Sequence, residues 1–346
     1  MNYKTIVIFF LIALSLNAEY AVNVTVFDEN AEPIEMAEVS VWFSHFRLNK
    51  RVSDTIIGLT DESGKFVAHG DGQMGMGLFV TKEGYYNYGS GNGKRIEFYT
   101  KEPSTIERTA LLRPIRTPIP LFSKRVTDAT PYEPYHIPVE DKPAGFDFEI
   151  GDWVSPYGQG KVADILFSYE KEFVEFASIP SRTLEQVRES YKRRCKSEGI
   201  AYTEEGFREF AGKWDSRFEV SFPGEKEGIQ MVEERFNVHS ALRMPHEAPT
   251  DGYKNGFTVE KLHTDEPRIA RGDIGYFLRT RVKLDENGEI ESANYAKIYG
   301  EIEFLPTGYV YFHYYFNPTP NDRNLEFDTK RNLFGDDVEG SRVNLP

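Results

Sequence analysis

The residues best suited to acid–base or metal chemistry gather in 237–273, where His239, His246, Glu247, Asp251, His263, Asp265 and Asp273 punctuate a stretch that reads mostly as loop. Zinc and acid–base motifs place their ligands at short fixed spacings. His246-Glu247 has no second histidine three residues on, and the other histidines are far apart, so neither a metal site nor a cofactor is expected. No nucleophile elbow, phosphate loop or dinucleotide fingerprint occurs. The single cysteine, Cys195, has no histidine near it in sequence and falls on an apolar helical stripe, which marks a buried small hydrophobe rather than a nucleophile. Paired carboxylates that cleave glycosides leave no sequence spacing. Asp152, Asp164 and Glu301 therefore keep a polysaccharide-acting hydrolase open as an alternative function.

A second kind of chemistry is the stacking of rings against a ligand. Tyr295, Tyr299, Phe312 and Tyr314 mix with Arg279 and Glu301, and Trp153 and Tyr157 sit in the loop 151–160, dense in glycine and aromatics. Aromatic faces flanked by polar groups suit sugar recognition. The competing reading is that these rings are covered by another layer of the same domain, with Trp153 plugging the end of a core.

The elements that must position these residues begin with 274–316, three alternating runs joined by two turn signals, an antiparallel meander. Strand side chains alternate with a period of two. Ile274, Tyr276, Leu278, Val282 and Leu284 share one face. At Asp285-Glu286-Asn287-Gly288 a three-residue loop with Gly288 left-handed pairs Leu284 with Ile290 and keeps the apolar sets together. Ala296, Ile298, Ile302 and Phe304 join that face. At Leu305-Pro306-Thr307-Gly308, pairing Phe304 with Tyr309 adds Tyr311, His313 and Tyr315 to it. The opposite face then carries Arg279, Arg281, Glu291, Tyr295, Lys297, Tyr299, Glu301, Phe312, Tyr314 and Phe316, the candidate binding platform.

Ahead of the meander, Phe146, Phe148 and Ile150 and then Ala163, Ile165, Phe167 and Tyr169 alternate as strands. Two helices follow, near 183–198 and 204–214. Thr183 and Gln186 have capping-box spacing, Gly199 ends the first helix, and Thr203 precedes the second. Phe207, Phe210 and Trp214 on the second helix are candidates to cover the aromatic face. Phe218, Val220 and Phe222, then Ile229, Met231 and Phe236, suggest a hairpin across Pro223-Gly224.

Residues 19–113 contain about seven short strand signals, the pattern of a small antiparallel sandwich. Val24-x-Val26-x-Asp28, Pro33-Ile34 with Ala37-x-Val39, Thr60-Asp61-x-x-Gly64-Lys65-Phe66 and Lys82-Glu83-Gly84-Tyr85 together resemble the carboxypeptidase regulatory-like family, a transthyretin-like β-sandwich. The resemblance implies a non-catalytic accessory module and carries over no catalytic residue. The glycine-rich run 70–77 departs from the family pattern. Residues 144–317 resemble no named family.

Residues 1–18 read as an export signal: Lys4, then an apolar run over 5–16, then small or polar residues. That run is too short to span a bilayer, so no transmembrane segment is expected. Residues 114–143 hold seven prolines and read as an extended, semi-rigid linker. Residues 318–346 read as a tail that wraps the folded body or stays partly disordered. The net charge of −14 argues against nucleic acid or an anionic membrane as partner, since both need basic surface. The expectation is a mainly β protein: an N-terminal transthyretin-like antiparallel sandwich, then a second antiparallel β domain with two helices packed on it. It is exported to the periplasm or beyond and binds without catalysis. A glycan or a cell-surface protein is the partner class these residues suit, and a purely structural envelope role is a further alternative.

Overall fold

The computed structural model describes residues 20–89, 96–98, 100, 104–126, 135–233, 239–265, 270–335, 343 and 345–346. The export signal read over 1–18, and Phe236, lie outside the described residues. The chain is mainly β and divides into two units, one comprising residues up to Pro114 with His239–Ala241, the other Ile115–Val238 with Leu242–Pro346.

The described residues of the first unit form a two-sheet sandwich of seven strands: β1 Tyr20–Phe27, β2 Glu38–Arg47, β3 Lys50–Leu59, β4 Lys65–Gly70, β5 Met76–Thr81, β6 Ile96–Phe98 and β7 Thr105–Leu111. The sheets run β4-β1-β7 and β3-β2-β5-β6. All pairs are antiparallel except β1 with β7. Alternation is the cause of the packing: Val22, Val24 and Val26 meet Val39, Val41, Leu78 and Val80 in one core. The 60–66 turn does not close a hairpin within one sheet; it carries the chain from β3 in one sheet to β4 in the other. Its motif residues hold that crossing. The buried Thr60 hydroxyl donates to Ile34 O (2.6 Å) and accepts from Ala37 N (2.9 Å). Asp61 Oδ1 accepts from Ser63 N and Lys65 N, both at 2.9 Å. Gly64 has φ +70°, and a Cβ there would lie 2.3 Å from Val26 O, so only glycine fits.

The second unit holds β8 Phe122–Val126, β9 Ala144–Asp147, β10 Asp152–Trp153, β11 Ile165–Phe176, α1 Leu184–Glu198, α2 Glu204–Ala211, β12 Gly212–Ser221, β13 Gly228–Glu233, β14 Gly256–Lys261, β15 Ile274–Leu284, β16 Ile290–Leu305 and β17 Tyr309–Asn317. Two five-stranded sheets result, β10-β9-β11-β12-β14 and β13-β15-β16-β17-β8. Their shared core joins Phe146, Phe167, Phe218 and Val220 to Leu278, Ile298, Phe304 and Phe312. Strand β8 departs from the linker expected over 114–143. Phe122–Val126 pairs with Phe312–Phe316, Pro118 and Pro120 precede the strand, and an edge strand tolerates nearby proline. Ile119 also pairs with Phe327. That pairing docks part of the 318–346 tail, whose Leu325 and Phe327 are buried.

The proposed hairpin across Pro223-Gly224 does not form: β12 and β13 belong to different sheets. The Thr183–Gln186 capping box forms, and Gly199 closes α1 at φ 71°. Helix α2 ends at Ala211, however, and Trp214 lies in β12. Phe207 packs with Phe176, Tyr191 and Tyr202 in a separate cluster, so the helices do not cover the meander.

Two corrections concern the meander itself. The Gly288 loop has the expected register, with Leu284 opposite Ile290 and Gly288 at φ 76°. The second turn instead pairs Leu305 with Tyr309 and Phe304 with Val310, and Gly308 takes φ 91°. This one-residue difference turns β17 over. Phe312, Tyr314 and Phe316 enter the inter-sheet core beside Leu278 and Ile298, and Tyr315 joins Tyr295, Tyr299 and Phe277 on the other side. The second correction is a bulge at Arg281, φ 53°, beyond which Val282 and Ile290 pack with that outer cluster rather than with Leu278.

Candidate functional site

The expected ring platform is not open. Tyr295 and Tyr299 lie on the outer face of their sheet, but Leu121, Met244, Ala248, Leu325, Phe327 and Val343 cover them. The mixture of rings and charge has a structural cause. Lys297 is fully buried, its ammonium 4.7 Å from the Tyr299 ring centroid and 4.6 Å from that of Tyr315, and it donates to the Tyr299 hydroxyl at 2.8 Å. Rings and hydroxyl replace the water a buried cation loses. Arg279 also stays on this face, where its guanidinium stacks 4.5 Å over Tyr253 and donates to Lys226 O and Thr250 O. Tyr314 and Phe312 are core, and the Tyr314 hydroxyl donates to Phe148 O at 2.9 Å. Trp153 is also core, edge-on to Phe146 at 5.4 Å.

The carboxylates of the hydrolase alternative are engaged. Asp164 is 0% exposed and is gripped by Arg281 through Nε (2.8 Å) and Nη2 (2.9 Å), by the Thr280 hydroxyl (2.5 Å) and by Phe148 N (2.9 Å). Arg281 also meets Asp147 at 3.1 Å and Glu149 at 2.6 Å. Burial pushes the Asp164 carboxyl above its ordinary range, against the pull of Arg281. Asp152 accepts from Trp153 N and Gln159 N, and Glu301 accepts from Arg271 N at 3.0 Å. Among the described residues no group of three His, Cys, Asp or Glu is arranged to hold a metal. His263 pairs with Asp215 at 2.7 Å, and His246 is buried.

Glu301 does line a concavity, in company the sequence did not suggest. A cleft of about 920 Å³ lies along the β13 edge of one sheet and the β14 edge of the other. Ile229, Met231, Phe257, Val259, Ile274 and Tyr276 line it, with Gln230, Lys254, Arg271 and Glu301 as polar neighbours. Phe257 stacks on Tyr276 at 5.8 Å and 11°. These rings belong to or pack against the inter-sheet core, so the cleft opens onto the sandwich interior. At one end Ile229 and Lys254 exchange both backbone hydrogen bonds, 2.8 and 2.9 Å. Gly228 allows this approach, since a Cβ there would lie 2.3 Å from Lys254 O. On the rim, hydrogen bonds to Asp273 and then Glu233 hold Arg271 above the usual arginine range. Gln230 Oε1 is buried without a partner among the described residues. Strand β14 falls in the stretch read as mostly loop; the signal for it was the alternation of Phe257 and Val259 after Gly256.

A second concavity, about 680 Å³, is more polar. Lys124, Tyr135, His136, Asp152, Trp153, Tyr157 and Gln159 are among its lining residues. Tyr157, 45% exposed, is the one ring of the predicted set that faces solvent. Lys124 lies 5.2 Å from the Tyr135 ring centroid.

No known protein family matches the chain, and no curated protein does. Among solved structures, 3-chlorocatechol 1,2-dioxygenase from Rhodococcus opacus 1CP is 12% identical over 29% of this chain and 61% of its own, with a TM-score of 0.23. The chain thus spans about three fifths of that enzyme. The C-terminal domain of shaft pilin SpaA from Lactobacillus rhamnosus GG is 15% identical over 28% of this chain and 98% of its own, TM-score 0.20. The major pilin SpaD from Corynebacterium diphtheriae is 10% identical over 79% and 91%, TM-score 0.21. Among the described residues no helix is long and apolar enough to cross a membrane.

Proposed function

We propose that the chain is an exported, non-catalytic binding protein of the cell envelope, in which the first sandwich is a carboxypeptidase regulatory-like accessory module and the second unit holds the ligand. The observation that carries this reading is the apolar cleft lined by Met231, Phe257, Val259 and Tyr276. An apolar concavity with a few convergent polar groups is the usual form of a binding site. The carboxylates a hydrolase would need are instead spent on Arg281 and on backbone amides. The accessory-module reading is supported by Thr60, Asp61 and Gly64, motif residues that each hold the sheet-to-sheet crossing. The test of the cleft is titration of the folded protein with the apolar dye Nile red. Wild type is expected to bind it at one saturable site, and Met231→Trp, which fills the cleft mouth from a half-exposed position, to abolish binding. Equal binding by both proteins refutes the assignment.

Carbohydrate is a second reading, favoured by the exposed Tyr157 ring beside Asp152, Gln159 and Lys124 in the polar concavity. A ring face with planar hydrogen-bonding groups next to it suits a pyranose. A glycan panel bound by wild type and lost in Tyr157→Ala supports it; no binding to any glycan removes it.

A further inference from the structure

We propose that the apolar cleft takes an extended peptide, which adds to β13 as a new edge strand; this rests on the cleft being the binding site. Among the described strands β13 is the end strand of its sheet and pairs with β15, with Ile229 opposite Leu278, Met231 opposite Tyr276 and Glu233 opposite Ile274. Ile229 directs its N–H and C=O away from β15, to Lys254. Backbone direction alternates along an antiparallel strand. Met231 and Glu233 therefore direct theirs the same way, along the cleft, and among the described residues neither amide has a backbone partner there. Lys254 already forms the first rung on this edge, and an incoming strand continues the ladder at Met231 and Glu233.

The side-chain environment matches that backbone. Residues of an added strand alternate in direction, so every second one would enter the space over Phe257, Tyr276 and Val259, where Arg271 and Glu301 also line the cleft, and the others would face away from it, on the side of Gln230 and Val232. An exposed strand edge with unmade hydrogen bonds beside apolar surface is a template for pairing. An acyl chain would fill the apolar floor but would leave the amides of Met231 and Glu233 unmade. Peptide is the ligand class that satisfies both surfaces.

The probe is a panel of fluorescein-labelled ten-residue peptides with Val, Ile, Leu or Phe at odd positions and Ser, Thr or Lys at even ones, titrated against the full chain by anisotropy. Saturable binding by members of the panel is expected. Met231→Pro deletes one outward N–H without touching the β15 ladder, and should weaken binding about five- to tenfold, the equivalent of one amide hydrogen bond. N-methylation of alternate peptide amides, which leaves the protein unaltered, should abolish binding in one phase of the alternation and spare it in the other. Binding indifferent to both N-methylation patterns overturns the strand-addition proposal, as does a panel with no binder. The dye titration separates the two levels. Nile red bound and lost in Met231→Trp, with no peptide binding, leaves the cleft assignment standing and removes the peptide; dye binding unaltered by Met231→Trp removes both.

Discussion

Replacing Arg281 with methionine should destabilise the second unit by about 3–5 kcal/mol, the cost of stripping one partner from a buried ion pair. The structure supplies the arithmetic. Asp164 accepts four hydrogen bonds, and Arg281 makes two of them. Hydrogen bonds to charged groups contribute about 1.5–3 kcal/mol each, so losing two gives about 3–6 kcal/mol, in agreement with the first figure. Asp147, also buried, loses its contact with the same guanidinium. The positive φ of residue 281 persists in the variant and cancels from the comparison. The pH dependence distinguishes a stranded charge from simple loss of packing. Burial already pushes the Asp164 carboxyl up, and without Arg281 it rises further, so the folded variant holds a proton that the unfolded chain has released. Its deficit against wild type should therefore shrink as pH falls from 7 to 4.5. Urea unfolding at several pH values, followed by tryptophan fluorescence, measures this. A deficit below about 1 kcal/mol, or one that does not change with pH, would show that the ion pair is not what holds Asp164 inside.

His313 gives a trend of opposite sign. Burial, helped by Arg125 and Arg243, lowers its pKa to about 4, so between about pH 6.5 and 4 the unfolded chain takes up a proton that the folded state refuses. Stability should fall across that window by about 3 kcal/mol, and His313→Gln should flatten that part of the profile; identical profiles would contradict the assignment. Thr60→Val removes a hydroxyl that serves both Ile34 O and Ala37 N and should cost about 2 kcal/mol, read as faster amide exchange at Ala37. Tyr314→Phe leaves Phe148 O without its donor and should cost about 1–3 kcal/mol, measured by urea unfolding.

The two loops of the meander show how far sequence could go. At Gly288 the apolar residues lie on one side only, so a wrong register would have exposed them and the choice was forced. At Gly308 the same loop form occurs, but both faces of β17 are aromatic: Tyr309, Tyr311 and Tyr315 on one, Phe312, Tyr314 and Phe316 on the other. Hydrophobic matching cannot choose between two greasy faces, and it chose wrongly. That ambiguity follows from a sheet buried on both sides, by the facing sheet and by the chain around Leu121, Met244, Leu325 and Phe327. The Arg281 bulge was invisible for another reason. It places an arginine, not a glycine, in the left-handed region, and the carboxylates that hold it come from residues 147, 149 and 164. Helix α1 was legible because its cap, its apolar spacing and its terminal glycine are all local.

Burial of both faces also limits where the meander's sheet can bind. With its faces spent on packing, that sheet keeps only its edges, and each lies beside an edge of the facing sheet: β8 beside β10 at one side, β13 beside β14 at the other. A concavity lies along each pair. The β13–β14 cleft is floored by Phe257, Val259 and Tyr276, while the one that includes Trp153 of β10 and Lys124 of β8 is lined largely by polar groups. Since the two share no lining residue, their ligand preferences should be independent: Met231→Trp should abolish dye binding without affecting any glycan bound beside Tyr157, and Tyr157→Ala should do the reverse. Were either substitution to disturb both, the edges would be coupled through the core between them, and the assignment of a separate chemistry to each side would fail.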